Sequence, residues 1–300
     1  METTFKAGFV NLVGLPNSGK STIFNALLKT KLAIVTHKPQ TTRQRVLGIL
    51  SQENKQLILS DTPGWIEKTS YPLHVAMNIQ IRNAIEDADV LVLVVDGSST
   101  SVLPEDFLKT IQFSKIPVYL CVNKSDHAHP TAELIYIKQL NDYSIEVKAI
   151  HKVSALKGTG IETLLEQVFN ELPDHPPYYT EDFISDRSIR FFISEMIREQ
   201  ILLLYDAEIP YHVFVVVDSC KGVDEKANLA HIYATIYVGR SSHVSIMIGK
   251  NGQKLKELGI QSRIEIENFL DQRIYLNLSI KLKKEWRDNS NFIQKSGIFQ

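Results

Sequence analysis

Gly14-Leu15-Pro16-Asn17-Ser18-Gly19-Lys20-Ser21 sets two glycines, a lysine and a hydroxyl at the spacing G-x-x-x-x-G-K-[ST]. Glycines at those positions let backbone N–H groups wrap a phosphate chain, and a helix beginning at the lysine adds a favourable dipole. Lys20 is expected to reach the β- and γ-phosphates and the Ser21 hydroxyl to hold Mg²⁺. Asn17, Ser18 and Thr22 complete the expected nucleotide-binding segment. A chance match in a glycine-containing turn is the competing reading, and the apolar run before and amphipathic run after the motif count against it.

Three further motifs follow in order. Asp61-Thr62-Pro63-Gly64 comes after the apolar run Gln56–Leu59. Its aspartate suits Mg²⁺ held through water, and Gly64 lacks the Cβ that would keep its N–H away from a γ-phosphate. Asn123-Lys124-Ser125-Asp126 ends another apolar run. A carboxylate at Asp126 can accept from both N1–H and the exocyclic amine of guanine, donors that adenine does not offer there. Ser154-Ala155-Leu156 is weak alone; its position predicts that the Ala155 N–H meets guanine O6. The four motifs together point to GTP rather than ATP.

These side chains need a scaffold that brings them to one edge. From Gly8 to about Leu172, apolar runs alternate with amphipathic stretches. Gly8–Val13, Gln56–Leu59, Val90–Val95, Pro117–Val122 and Val147–Val153 read as strands. Helices are predicted to begin near Lys20, Leu73, Asp106, Thr131 and Ile161. That alternation predicts an α/β domain with a mostly parallel sheet covered on both faces, over residues 1–172. Each motif then falls at the carboxyl end of a strand, where open α/β sheets bind ligands.

Pro173-Asp174-His175-Pro176-Pro177 breaks the pattern, and 173–187 reads as a linker. Over 188–300 the order changes: a helix (Ser188–Tyr205), two strands (His212–Lys221, Asn228–Val238), two helices (Val244–Leu258, Gln261–Leu270) and a strand (Arg273–Leu282). This predicts a smaller α+β domain.

Composition sets limits on function. Three hundred residues, 44% of them hydrophobic and 22% charged, suit two globular domains. The net charge of −1 gives no global signal for nucleic acid, so any such surface must be local. No apolar stretch approaches the roughly 20 residues of a membrane-spanning helix, and a basic-then-apolar leader is not evident, so a cytoplasmic protein is expected. Cys121 and Cys220 both lie in apolar runs and are expected to be buried thiols.

The second region carries its own motif. Gly249-Lys250-Asn251-Gly252 is a G-x-x-G, which most often marks a mere turn. Within a helix-strand-strand-helix-helix-strand order, however, it matches a type II KH domain, whose glycine loop clamps single-stranded nucleic acid. From Arg240 to Arg287 there are ten Lys/Arg against five Asp/Glu. The expected RNA contacts are Gly249, Lys250, Asn251, Gly252, Lys254, Lys256, Arg263, Lys283 and Lys284. Trp286 could stack on a base or pack; packing is favoured.

The nucleotide motifs together with Ile248-Gly249-Lys250-Asn251-Gly252-Gln253-Lys254-Leu255-Lys256, Gly259-Ile260 and Lys283-Lys284-Glu285-Trp286-Arg287-Asp288 resemble the Era family of bacterial GTPases over essentially the whole chain. That resemblance implies GTP hydrolysis to GDP, with Lys20, Thr42 and Gly64 as catalytic groups and Ser21, Thr42 and Asp61 around Mg²⁺. Thr42 belongs to Gln40-Thr41-Thr42-Arg43, which resembles the family's switch segment; a passive solvated loop is the alternative. Trp65 stands where Ras-like proteins have a water-orienting glutamine, as this branch of GTPases allows. Asn17 matches the asparagine that related potassium-activated GTPases use to hold K⁺, against a purely structural role. The partners implied are the 3′ end of small-subunit ribosomal RNA and the 30S subunit during its biogenesis, with peripheral association at the inner face of the membrane also open. Asn251 departs from the glycine or small residue usual there, but Asn tolerates left-handed backbone. The rivals are an RNA-binding assembly protein with a non-catalytic nucleotide site, and a double-GTPase ribosome factor, which would need a second P-loop.

Overall fold

In the computed structural model, which describes residues 5–223 and 227–288, the first unit is a six-stranded sheet. Its elements are β1 (Lys6–Val13), α1 (Lys20–Leu28), β2 (Val46–Gln52), β3 (Lys55–Asp61), α2 (Pro72–Glu86), β4 (Val90–Asp96), α3 (Glu105–Ser114), β5 (Val118–Asn123), α4 (Ala132–Asp142), β6 (Val147–Lys152) and α5 (Ile161–Glu171). The strand order is β2-β3-β1-β4-β5-β6, parallel except for β2 against β3. β4 and β5 are interior strands, and their apolar runs are buried on both faces. Leu93, Leu120, Phe107, Ile111, Tyr136 and Leu140 pack into one core between the sheet and its helices.

β2 was not among the expected strands. Val46-Leu47-Gly48-Ile49-Leu50-Ser51-Gln52 is only partly buried and contains glycine, because an antiparallel edge strand does not need a continuous apolar run. The sheet continues past β2. Residues expected as a free linker lie along its edge: the Ile49 N–H donates to the Ile184 carbonyl (2.8 Å), Ser185 Oγ to the Leu47 carbonyl (2.6 Å) and the Leu47 N–H to Asp186 Oδ1 (3.0 Å). Gln56 Oε1 accepts from the Tyr178 and Tyr179 N–H groups, and Tyr178 meets Phe9 edge-on at 5.1 Å. The two compact units accordingly part between Asp186 and Arg187.

The second unit runs α6 (Ile189–Leu204), β7 (Val213–Lys221), β8 (Ala230–Val238), α7 (Ser241–Ile248), α8 (Gln253–Leu270) and β9 (Ile274–Leu282). The Ser188 side chain caps α6 by accepting from the Phe191 N–H. β7 and β8 are antiparallel, β8 and β9 parallel. This is the expected α+β order with one boundary moved: the helices part at 249–252, and Gly259 sits inside α8. Trp286 packs at 1% exposure, its indole N–H donating to the His212 carbonyl (3.0 Å) and its ring 5.6 Å from Phe214. Cys121 is buried, which pushes its thiol up to about 12, while Cys220 is only half-buried; neither is in a disulfide. No helix among the described residues is long and apolar enough to cross a membrane.

Candidate functional site

β1 ends at Val13, and the chain folds back over the start of α1. Asn17 (φ 63°) and Gly19 (φ 95°) are left-handed there, and a Cβ on Gly19 would run into the Asn123 amide. α1 begins at Lys20 with no side-chain cap and no acid in its first turn, so its N–H groups stay open to an anion. The Ser18 hydroxyl is buried and has no hydrogen-bond partner. Lys20 is 5% exposed and donates to the Gly14 (3.2 Å) and Leu15 (2.9 Å) carbonyls. Burial lowers its ammonium to about 8, with Asp61 pulling the other way.

Beside Lys20 lies a knot of oxygen ligands. Ser21 Oγ donates to Asp61 Oδ2 at 2.7 Å and stands 2.8 Å from Thr42 Oγ1, which lies 3.3 Å from the same carboxylate oxygen. Asp61 is fully buried, and its Oδ1 has no partner. Burial raises its carboxyl to about 6, opposed by Ser21, Lys20 and Thr42. A buried carboxylate with an orphaned oxygen, flanked by two hydroxyls, fits a hard divalent cation. The expected Mg²⁺ set of Ser21, Thr42 and Asp61 is therefore together in space.

The Asp61-Thr62-Pro63-Gly64 turn is pressed onto the phosphate loop. A Cβ on Gly64 would come within 2.5 Å of the Pro16 nitrogen, so backbone contact itself requires glycine there. Thr62 is turned inward, donating to the Leu12 carbonyl at 2.7 Å. Trp65 is buried, with its N–H on the Gly14 carbonyl (3.1 Å), its ring 5.2 Å from Phe107, and the Arg82 guanidinium 4.9 Å above it. The Asn17 amide nitrogen donates to the His37 carbonyl (3.2 Å), tying the phosphate loop to the segment that carries Thr42.

Farther along the same edge, Asn123 joins two loops: Nδ2 donates to the Ser18 carbonyl (2.9 Å) and Oδ1 accepts from the Ala155 N–H (3.0 Å). The N–H expected to meet guanine O6 is thus engaged by Asn123, whose buried amide oxygen needs a donor. Asp126 takes a 2.7 Å hydrogen bond from Ser154 Oγ, which holds its carboxyl below the usual range, and His127 and Lys157 flank it at 3.4 and 3.7 Å. An ionised carboxylate there presents acceptor capacity toward a donor edge. Lys124, left-handed at φ 60°, pairs with Asp96 at 2.6 Å. Leu156 is 85% exposed.

In the second unit, Gly249 (φ 71°), Asn251 (φ 52°) and Gly252 (φ 74°) turn the chain between α7 and α8. α8 starts after Gly252 with no side-chain cap, another open helix N-terminus. Lys250, Asn251, Lys254 and Lys256 are exposed around this turn, and Arg263 is exposed farther along α8. The Lys254 ammonium lies 5.7 Å over the Tyr205 ring. Lys283 and Lys284 stand past the end of β9, on a different element from the loop. Sequence reasoning missed the exposed Ile246 and Ile248 at the end of α7 and the exposed Ile260 and Ile264 along α8. The available signal was their place off the buried positions, His243 and Met247 in α7 and Leu258, Ser262 and Ile266 in α8.

Residues 9–124 match a family described as 50S ribosome-binding GTPase, and residues 208–287 match the KH domain family. The chain is 42% identical to GTPase Era of Carboxydothermus hydrogenoformans, covering 98% of each chain. It is 41% identical to GTPase Era of Syntrophus aciditrophicus, over 98% of this chain and 95% of that one. It is also similar to the crystal structure of Era in complex with MgGDPNP and nucleotides 1506-1542 of 16S ribosomal RNA. The TM-score there is 0.90 at 34% identity, with coverage of 99% of this chain and 100% of that one.

Proposed function

The chain belongs to the Era family of GTPases, and from that membership we propose how its two units divide the work. The protein binds and hydrolyses GTP with Mg²⁺, and it binds the 3′ end of 16S ribosomal RNA through its KH unit. Its role is in maturation of the 30S subunit, in the cytoplasm, with peripheral membrane contact as a secondary location.

The observation that carries the GTPase reading is the buried Asp61 carboxylate, bonded to the half-buried Ser21 and Thr42 hydroxyls beside buried Lys20. The cationic and anionic members of this group are both desolvated, and a phosphate chain with its cation supplies the missing partner of each. Mg²⁺, held by Ser21, Thr42 and Asp61, would neutralise charge on the β- and γ-phosphates. Lys20 exchanges its carbonyl partners for phosphate oxygens. The Gly64 N–H and the first turn of α1 orient the γ-phosphate, and the buried Trp65 leaves water positioning to the backbone and to ions. Asp126 selects guanine, with Asn123 tying the Ser18 carbonyl of the phosphate loop to the Ala155 N–H of the loop beside the base. For Asn17, donation through nitrogen to His37 suits an oxygen free to face a monovalent cation, which supports K⁺ as a second ion.

In the KH unit, Gly249 and Gly252 bring the backbone close to phosphates, Lys250 supplies charge, and the four exposed isoleucines form an apolar floor for bases. Lys254, Lys256, Arg263, Lys283 and Lys284 add to the cationic surface. The test is hydrolysis of GTP and ATP by the intact protein in matched K⁺ and Na⁺ salts, alongside binding of the 16S 3′-end fragment. GTP-selective turnover that rises in K⁺ and loses that rise in Asn17→Ala is expected. Equal rates in both salts would reduce Asn17 to a structural residue, and turnover of ATP as fast as GTP would contradict the guanine assignment.

A further inference from the structure

The helices of the second unit cover one face of its sheet; the other face bears aromatic rings in solvent. In β8, Ile232, Ala234, Ile236 and Val238 are buried, while His231 and Tyr233, on the alternate face, are exposed. His231 pairs in register with Tyr275 of β9, and Tyr233 with Asn277. The rings form a cluster, with His231 and Tyr275 at 5.6 Å and Tyr233 and Tyr275 at 6.1 Å between centroids. Tyr233 and Tyr275 are 41% and 45% exposed.

The charge on this face has one dominant sign. Lys221 pairs in register with His231 at one end, and Lys281 pairs with Tyr237 toward the other. Exposed Arg273 lies just before β9. Asp218 is the single acid in the three strands, and its carboxylate already accepts from Thr235 Oγ1 at 2.7 Å, with Ser279 Oγ joining that row at 3.0 Å. Exposed rings set between cations, with the acid internally satisfied, have the chemistry of a stacking surface for a polyanion with aromatic bases.

We propose that Tyr233, Tyr275 and His231 form a second single-stranded RNA contact, on the opposite face of the sheet from the glycine loop. Bases stack on the two tyrosines, and Lys221, Arg273 and Lys281 meet the phosphates. The glycine loop belongs to the helix layer, so a short oligonucleotide occupies one site and a long one continues around the sheet to the other. This inference rests on the RNA-binding reading of the KH unit and extends it.

The experiment measures binding of the full-length protein to the 16S 3′-end fragment and to a short oligonucleotide of its single-stranded terminus. The double variant Tyr233→Ser, Tyr275→Ser should bind the long fragment on the order of tenfold more weakly and the short one as wild type does. Tyr233→Phe with Tyr275→Phe should bind both as wild type does, since stacking needs the ring and not the hydroxyl. Ultraviolet crosslinking of the wild-type complex, read by peptide mass, should give adducts on Tyr233 or Tyr275 with the long fragment only; this arm holds even where the serine variant folds poorly. Unchanged long-fragment affinity in a folded serine variant, or crosslinks confined to the glycine-loop segment, overturns the proposal, leaves the KH reading standing and turns this face toward a protein partner. Failure of wild type to bind either RNA overturns the KH reading itself.

Discussion

At the carboxyl edge of the first sheet the polar groups are buried and interlocked, whereas around the glycine loop of the second unit they stand in solvent. Lys20, Asp61 and Asn123 are each at most 5% exposed, and every one is tied to a neighbouring loop. Lys250, Asn251, Lys254 and Lys256 are exposed, and the apolar residues beside them are exposed as well. The first arrangement concentrates charge in a low-dielectric site, where losing one group leaves its partners uncompensated. The second spreads affinity over many weak, screened contacts. Single polar substitutions should therefore be severe in the first region and graded in the second.

The largest binding effect is expected at Asp126. Asp126→Asn removes the carboxylate proposed to pair with guanine, and the expected cost is about 1.5–3 kcal/mol, or about ten- to hundredfold in GTP affinity. Xanthosine triphosphate, whose 2-oxo group accepts from the new amide, should recover binding. Calorimetric titration with both nucleotides checks this, and unchanged GTP affinity would remove guanine from this position.

A smaller loss, about tenfold, is expected from Gly252→Asp in RNA binding, through like charge beside the phosphates. A Cβ at Gly252 enters open space, and aspartate tolerates left-handed backbone, so the unit should stay folded. Gly249 is a poorer choice, because a Cβ there would lie 2.8–2.9 Å from the Lys254 side chain. Lys250→Ala should weaken binding less and shallow the salt dependence by about one phosphate contact. A salt series of RNA affinities reads both variants; wild-type affinity in a folded Gly252→Asp would leave the loop a plain turn.

The smallest effect concerns stability and pH. Burial holds His212 at about 4, below its ordinary 6.5; Arg287, His243 and Arg240 push it further down and Glu208 opposes them. The unfolded chain therefore takes up a proton that the folded unit refuses, and stability is lost as pH falls from about 6.5 toward 4. Relative to His212→Asn, the wild-type melting temperature of this unit should drop by roughly 5 °C between pH 7 and pH 5. Trp286 fluorescence in a Trp65→Phe background isolates that transition. Parallel pH profiles would show that His212 titrates normally.

The two regions also differed in how far the sequence revealed them. The phosphate loop, Asp61 and Asp126 stood out as candidates because each motif sits where an apolar strand ends, and the structure places the Thr42 hydroxyl beside Ser21 and Asp61. What escaped depended on partners distant in the chain. β2 is an edge strand without a buried run on both faces, and the stretch 173–187 reads as a linker until Ile184, Ser185 and Asp186 are seen bonded to that edge. In the KH unit, the expected helix bounds left a gap at Gly259–Ile260, yet a helical glycine merely weakens its helix. The break belongs to Gly249, Asn251 and Gly252, which need positive φ. The engagement of the Ala155 N–H by Asn123 has no local signature at all.

The contrast rests on the knot around buried Asp61 being the seat of GTP turnover, and the most direct test is single-turnover GTP hydrolysis by wild type and Asp61→Asn in Mg²⁺, with GDP affinity measured beside it. Asp61→Asn keeps the side chain's shape and removes the charge that Mg²⁺ requires. The expected result is slow, Mg²⁺-dependent turnover in wild type, lowered at least about a hundredfold in the variant, while the guanine-reading end at Asp126 still binds GDP. Equal hydrolysis rates in the two proteins would contradict the account.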